Sequence, residues 1–368
     1  MRALLCGGGT AGHVMPAIAI AEIIEDKFSG SEIAFAGRYG GAENDAYKKT
    51  RHTLYTLDIC GISRSLSLNN AKSVVKIIKA GKRARKIIKE FSPDVIIGTG
   101  GYVCYPFLRQ GQRMGIKTVM HESNVAPGLV TRILGPKCDK LLLNLEGTRN
   151  NLRKTKNTAV VGNPTRKSFS KIKKSEARER LQIPSDKILI VSFGGSLGAD
   201  MLNEAVLELI ERYELKNENV YHIHATGRSH FKKCKEAYRE LFNGRNNVRI
   251  VPYIEDMPTV LKAADIAITR SGAITISELL LCRTPSILIP SPNVTANHQF
   301  INAEYMKTKG AAVLIEEKDL TPEVLYKEVS RLITSKDKVA EMSDNARRLS
   351  RTNTDGLIAK ALRDLFEG

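Results

Sequence analysis

Two kinds of hydrophobic spacing alternate along this chain. Residues 2–6 form a short apolar run, a glycine cluster follows, and over residues 14–24 the apolar positions recur at helical spacing, which predicts strand, tight loop and helix. The second half repeats the arrangement. Residues 187–193 (KILIVSF) read as a buried strand, 194–198 (GGSLG) as a loop, and 201–210 as a helix with Leu202, Val206 and Ile210 on one face. Further strands are expected at 33–36, 95–97, 117–120, 219–225, 248–251, 266–269 and 286–289, most of them separated by helical patterns. Such alternation implies parallel sheets with crossover helices. The boundary between halves is expected at Gly162-Asn163-Pro164, because Pro164 disfavours a helical Asn163 and a basic, polar stretch follows. The fold class expected is α/β, with two doubly wound Rossmann-like domains of mostly parallel strands facing a cleft. Ligands in such sheets lie beyond the carboxyl ends of the strands, where both glycine loops fall.

The first loop, Gly7-Gly8-Gly9-Thr10-Ala11-Gly12-His13, satisfies GxGxxG through Gly7, Gly9 and Gly12. A dinucleotide fold would also place an acid at the end of the second strand to grip a ribose, but that strand ends in Ala36-Gly37-Arg38. NAD is thereby disfavoured, and an NADP-dependent oxidoreductase leaning on Arg38 is one alternative. What survives is a helix start suited to a diphosphate. The second loop offers a similar cradle, with the hydroxyl of Ser196 and only backbone at Leu197. The stretch from Arg270 to Glu278 also follows a strand and enters a helix. It puts Ser271 or Thr275 near unpaired amides and Glu278 about a turn and a half inside, where a carboxylate can accept from both ribose hydroxyls or simply be solvated. Asn297-His298-Gln299 precedes another helical pattern and suits sugar hydroxyls or capping.

Charge narrows the partners. The 368 residues carry 57 Lys and Arg against 39 Asp and Glu, a net charge of +18, which calls for phosphate, nucleic acid or an anionic membrane surface. From Lys72 to Lys89 eight basic residues occur without an acid, interleaved with Val74, Val75, Ile77, Ile78, Ile87 and Ile88 and preceded by Leu66 and Leu68. A basic amphipathic helix of this kind fits an anionic bilayer, at about 1 kcal/mol per basic residue near the lipid, or packs its isoleucines inward as an ordinary solvated helix. The run holds no aromatic residue, which weakens the second alternative, a nucleic-acid-binding protein. Six dispersed cysteines without a CxxC pair read as reduced thiols. His222, His224, His230 and Cys234 do not complete a zinc spacing, so no metal is expected. No run reaches the ~18 apolar residues of a membrane span, and the first residues lack a signal-peptide layout, so a cytoplasmic chain is expected.

Seven motifs occur in the order and spacing of one known family: Gly8 to His13, Gly100-Gly101-Tyr102-Val103, His121-Glu122-Ser123-Asn124, Gly162 to Arg166, Gly194 to Ala199, Tyr253 to Met257, and Arg270 to Glu278. In these the chain resembles the MurG family of peptidoglycan N-acetylglucosaminyltransferases, two-domain enzymes of GT-B fold. The resemblance implies inverting transfer from UDP-N-acetylglucosamine to the C4 hydroxyl of the muramoyl sugar of lipid I, giving lipid II, at the cytoplasmic face of the bacterial membrane and without a cofactor. It implies an acceptor and membrane-facing domain at 1–163, with a closing helix of about 350–368 packed back on it, and a UDP-sugar domain at 164–349. By the family's pattern the Ile254 backbone lies near uracil, Glu278 on the ribose, Ala273, Ile274 and Thr275 beside the diphosphate, and Ser196 and Arg166 on phosphate. Thr10, Ala11 and Gly12 border the donor, and Asn124 and Gln299 contact sugar. Ala11 stands where the family often has Gly, Leu197 where it often has Gln, and residues 123–128 depart from the commonest pattern.

Inverting transfer needs a base for the acceptor proton and stabilisation of the departing UDP. His13, with an ordinary pKa of about 6.5, suits the base and equally a donor to phosphate. Glu122 is a second candidate base or an orienting group for His121 or Asn124. The second glycine loop, Ser196 and Arg166 could stabilise UDP in place of a metal ion.

Overall fold

In the computed structural model, described for residues 1–41, 43–60, 69–153, 156–165, 169, 172–195, 197–213, 217–242 and 247–367, the chain divides into two units. Met1–Thr165 and Asn353–Gly368 form one, Arg166–Thr352 the other.

Among the described residues the first unit holds seven parallel strands: β1 (Arg2–Cys6), β2 (Glu32–Arg38), β3 (Thr53–Leu57), β4 (Val95–Gly98), β5 (Lys117–Glu122), β6 (Lys140–Leu143) and β7 (Thr158–Val160). Their order is β3-β2-β1-β4-β5-β6-β7. The buried runs need apolar residues on both faces because helices cover the sheet on both sides. Alternate residues therefore enter different cores. Ala3, Leu5, Ile33, Phe35, Val95 and Ile97 meet Ile20 and Ile24 of the helix Ala11–Lys27, while Leu4, Ala34 and Ile96 meet Ile87 of the helix Asn69–Phe91 and Phe107 of Cys104–Met114. The closing helix Thr354–Arg363 belongs to this unit and buries Ile358, Ala359 and Leu362 in the first of these cores.

The second unit holds β8 (Ile188–Phe193), β9 (Val220–Ala225), β10 (Val248–Val251), β11 (Ile266–Thr269), β12 (Ser286–Leu288) and β13 (Ala312–Leu314), in the order β10-β9-β8-β11-β12-β13. Leu202, Val206 and Ile210 of the helix Asp200–Arg212 pack on Ile190 together with Leu325, Val329 and Leu332 of Pro322–Thr334. That last helix has Pro322 in its first turn, and Thr321 Oγ1 accepts from Val324 N–H at 3.2 Å.

Both sheets reverse their winding beside the first strand of the unit, between β1 and β4 and between β8 and β11. At such a switch point the two following loops part and leave room for a ligand. The loops that lie there are the glycine-rich ones.

Candidate active site

The loop after β1 meets the loop after β4, with Gly8 N–H donating to Gly100 O at 3.4 Å. Gly101 has φ +83°, and a Cβ there would overlap Gly8 O, so close approach of the two backbones requires glycine. His13 lies in the first turn of Ala11–Lys27, and its Nδ1–H donates to Gly8 O at 3.0 Å, with Thr10 Oγ1 3.2 Å away. A carbonyl only accepts, so this contact puts the proton of the neutral ring on Nδ1 and makes Nε2 the acceptor atom. Thr10 is exposed, Gly12 and His13 are half-buried, and Ala11 opens the helix. The Gly9 N–H is not turned outward as the sequence suggests: it faces the carboxylate of Glu43 at 3.5 Å.

Glu122, at the end of β5, is buried and surrounded by donors. Its Oε1 accepts from Asn124 N–H at 3.0 Å and from the Asn124 amide at 3.4 Å, while Oε2 accepts from Gly128 N–H at 2.9 Å and Thr131 Oγ1 at 2.6 Å. Four donors occupy the lone pairs a base would use, so this geometry favours the orienting role, with Asn124 as the residue oriented. His121 is held elsewhere, Nε2 lying 3.0 Å from Gly162 O, and burial lowers its pKa below the ordinary histidine value.

In the second unit the loop after β8 turns at Gly195 (φ +96°) and Gly198 (φ +88°). Leu197 O accepts from Ser229 Oγ at 2.5 Å and His230 Nδ1 at 2.7 Å, so the loop is fastened through backbone and the Leu197 side chain stands 74 % exposed. After β11, the helix Ala273–Cys282 starts at Gly272 with no side-chain cap and no acid in its first turn. Ser271 does not cap it: its hydroxyl donates to Gln299 O at 2.8 Å. The amides at 273–275 are thus left for an anion by the helix itself. Gln299, in the helix His298–Thr308, accepts from Ser291 N–H through Oε1 at 2.9 Å, and Asn302 donates to Ser271 O at 3.2 Å. The turn before it holds Ala296 and Asn297 at φ +56° and +51°, a strained non-glycine pair beside the Ser271–Gln299 contact.

Comparison with known proteins fits this geometry. Residues 3–143 match the glycosyltransferase family 28 N-terminal domain and residues 189–360 the glycosyltransferase family 28 C-terminal domain. The chain belongs to glycosyltransferase family 28. It is 38 % identical over 367 residues, 100 % of its length and 99 % of the relative's, to the UDP-N-acetylglucosamine–N-acetylmuramyl-(pentapeptide) pyrophosphoryl-undecaprenol N-acetylglucosamine transferase of Acetivibrio thermocellus. The like-named protein of Caldanaerobacter subterraneus subsp. tengcongensis is 40 % identical over 354 residues, 96 % of each chain. Among solved structures, Acinetobacter baumannii MurG superposes with a TM-score of 0.79 at 25 % identity, covering 99 % of both chains. A UDP-GlcNAc 2-epimerase from Neisseria meningitidis, bound to UDP-GlcNAc, shares the fold at a TM-score of 0.67 and 14 % identity, covering 99 % of this chain and 100 % of that one. Nothing in these matches supports the oxidoreductase or nucleic-acid readings.

Of the residues expected to serve this family-28 chemistry, Thr10 to His13 and Asn124 follow strands of the first unit and Glu122 ends one, while Ala273 to Glu278 and Gln299 are joined through Ser271 in the second. Ile254 is buried just after β10, at the end of the strand row. Its neighbour Glu255 pairs with Arg228 at 2.6 Å, and the Arg228 guanidinium covers the Tyr253 ring at 4.8 Å. Glu278 is half-buried. Arg166 and Ser196 lie outside the described residues. Arg270 is held by Glu317 and by Ile289 O at 3.1 Å, a structural anchor between β11 and the chain beyond β13. Two features escaped the sequence reading. One is Glu43. The other is a groove of about 500 Å³ between the helices Asn69–Phe91 and Cys104–Met114, bordered by Ile78, Lys82, Arg85, Tyr105, Arg109 and Arg113.

Proposed function

We propose that this chain transfers N-acetylglucosamine from UDP-N-acetylglucosamine to the C4 hydroxyl of the muramoyl sugar of undecaprenyl-diphosphate-linked muramoyl pentapeptide, with inversion, in peptidoglycan synthesis. The observation that carries the reading is the full-length likeness to transferases of that name, at 38 % and 40 % identity, with both family-28 halves present. In this reading the second unit takes the nucleotide. The uncapped amides at 273–275 receive the diphosphate, where the helix dipole stabilises the charge that grows as UDP departs, and Glu278 accepts from the ribose hydroxyls. Gln299 and Asn124 contact sugar, the Ile254 backbone meets uracil, and Thr10, Ala11 and Gly12 border the donor. Ser196 and Arg166 add phosphate contacts. His13 Nε2 takes the proton of the acceptor hydroxyl, its tautomer set by Gly8 O. The first unit, Met1–Thr165 with Asn353–Gly368, takes the acceptor; the second, Arg166–Thr352, takes the donor.

The same reading places the enzyme on the cytoplasmic face of the bacterial membrane as a peripheral protein. No helix among the described residues is long and apolar enough to cross a bilayer. The groove beside helix Asn69–Phe91 supports surface docking instead: it combines apolar Ile78 and Tyr105 with four cations, the pairing an anionic headgroup layer requires. Incubation with radiolabelled UDP-N-acetylglucosamine and a short-chain lipid I analogue tests the whole assignment. A labelled disaccharide-linked product is expected, and its absence with folded protein would overturn the assignment.

A further inference from the structure

The peptide group joining Gly8 to Gly9 has a carboxylate on one side and an imidazole on the other. Its carbonyl, Gly8 O, accepts from His13 Nδ1–H at 3.0 Å. Its N–H, on Gly9, donates to Glu43 Oε2 at 3.5 Å. Glu43 is only 4 % exposed, and its other oxygen accepts from Arg38 N–H at 2.9 Å. The surrounding glycines make space for this carboxylate: a Cβ on Gly8 would lie 2.6 Å from Oε1, and one on Gly37 3.3 Å from Glu43 Cγ. Tyr47, one turn along the helix Glu43–Lys48, donates to Gly7 O at 2.8 Å, and Thr99 Oγ1 donates to His13 O at 2.7 Å. The loop is fixed on either side of the shared peptide.

A negative charge at the N–H end of a peptide polarises it and strengthens its oxygen as an acceptor. It also favours a positive ring nearby over a neutral one. Two other titratable groups packed against the loop stay neutral. Burial holds the Tyr47 hydroxyl and the Cys6 thiol, which neighbours Cys104, in their protonated forms, and Tyr102 approaches the position of a Gly9 Cβ at 3.7 Å. The arrangement resembles the carboxylate–imidazole pair of hydrolytic triads, with a backbone amide interposed.

We propose that Glu43 is a positioning residue for His13, acting through the Gly8–Gly9 peptide to hold the Nδ1–H tautomer and to stabilise the imidazolium formed in transfer. The inference rests on His13 being the base. In that step the acceptor hydroxyl oxygen bonds to the anomeric carbon as the carbon–oxygen bond to UDP breaks. The electron pair leaves on the diphosphate, and the hydroxyl proton passes to His13 Nε2.

The test is a titration of the full-length protein labelled with ¹³C-histidine, His13 being assigned by its loss in His13→Gln. In Glu43→Gln the His13 pKa is expected to fall by about half a unit or more, and the acid limb of kcat to move down with it. Turnover should drop about tenfold, as a loss of roughly 1.4 kcal/mol would produce, with the donor KM unchanged. Glu43→Asp, which keeps the charge, should recover part of both. An unmoved His13 titration in Glu43→Gln, with the other histidine signals in their native positions, overturns the proposal. If His13→Gln retains wild-type turnover, the base assignment falls, and the shift of the His13 signal in Glu43→Gln still decides whether the two residues are coupled.

Discussion

Gly100 backs onto the imidazole of His13: it sits at φ +118°, and a Cβ built on it would lie 2.8 Å from Nε2. Gly100→Ala therefore meets two penalties, left-handed backbone strain of about 1–3 kcal/mol and displacement of the ring. If His13 is the proposed base, moving it by about an ångström costs on the order of 100-fold in rate. The expected outcome is a kcat lowered by that order, with UDP affinity in calorimetry unchanged if the second unit holds the nucleotide as proposed. Wild-type turnover would show that the ring position is unimportant.

The relation between residues 13 and 100 also shows what the sequence could and could not reveal. Both glycine loops were legible because each follows an apolar run, and the helices after them extend only a few residues beyond the periodic stretches, to Ala11–Lys27 and Asp200–Arg212. Strands β3, β6, β7 and β13 were missed; β3, β7 and β13 lie at sheet edges and are mostly half-buried, so they lack the fully buried apolar run that marks β4 and β11. Glu43 left no signal, because it recognises the backbone amides of Gly9 and Arg38, and a backbone partner carries no residue identity. Arg270, read as part of a binding stretch, answers to Glu317, 47 residues away.

Glu278 stands inside a helix whose opening turn has neither a cap nor an acid. If it accepts ribose hydroxyls as a charged partner, Glu278→Ala should weaken UDP binding by about 1–3 kcal/mol, roughly 5- to 150-fold in Kd. Calorimetry with UDP measures it directly, and an unchanged Kd would remove the ribose role.

A buried polar cluster makes the second unit sensitive to acid. Ser192 Oγ lies 2.6 Å from His222 Nε2 and 2.7 Å from His224 Nδ1, all three residues being buried. His224 Nε2 is buried without a hydrogen-bond partner among the described residues, so the neutral ring carries its proton on Nδ1. Protonation would put an N–H where nothing accepts it. Desolvation, followed by repulsion from His222, lowers the His224 pKa to about 3, against 6.5 for a free histidine. Between these values the unfolded chain binds the extra proton, so stability present above pH 6.5 is lost as the pH falls toward 3, by at most about 1.4 kcal/mol per pH unit from this group. Urea unfolding of the second unit across that range should show the slope, and His224→Gln should flatten it. An equal slope in the variant would assign acid sensitivity to other groups.

The proposed docking surface makes the last prediction, and the structure selects the residues that test it. Lys76, central to the basic run in sequence, is engaged with Asp58 at 3.0 Å. Lys79, Lys82 and Arg85 are exposed, and the last two border the groove in which Ile78 stands 58 % exposed. Replacing these three by glutamate reverses six units of charge at the proposed surface, so binding to anionic vesicles should collapse at physiological salt, each cation contributing about 1 kcal/mol. Ile78→Ser alone should weaken binding without changing its salt dependence, because it removes apolar contact and leaves the charge intact. Retained UDP binding checks the fold of each variant. If vesicle sedimentation is the same for the triple variant and the wild type, the membrane lies against another face of the protein, and the groove between Asn69–Phe91 and Cys104–Met114 has no part in docking.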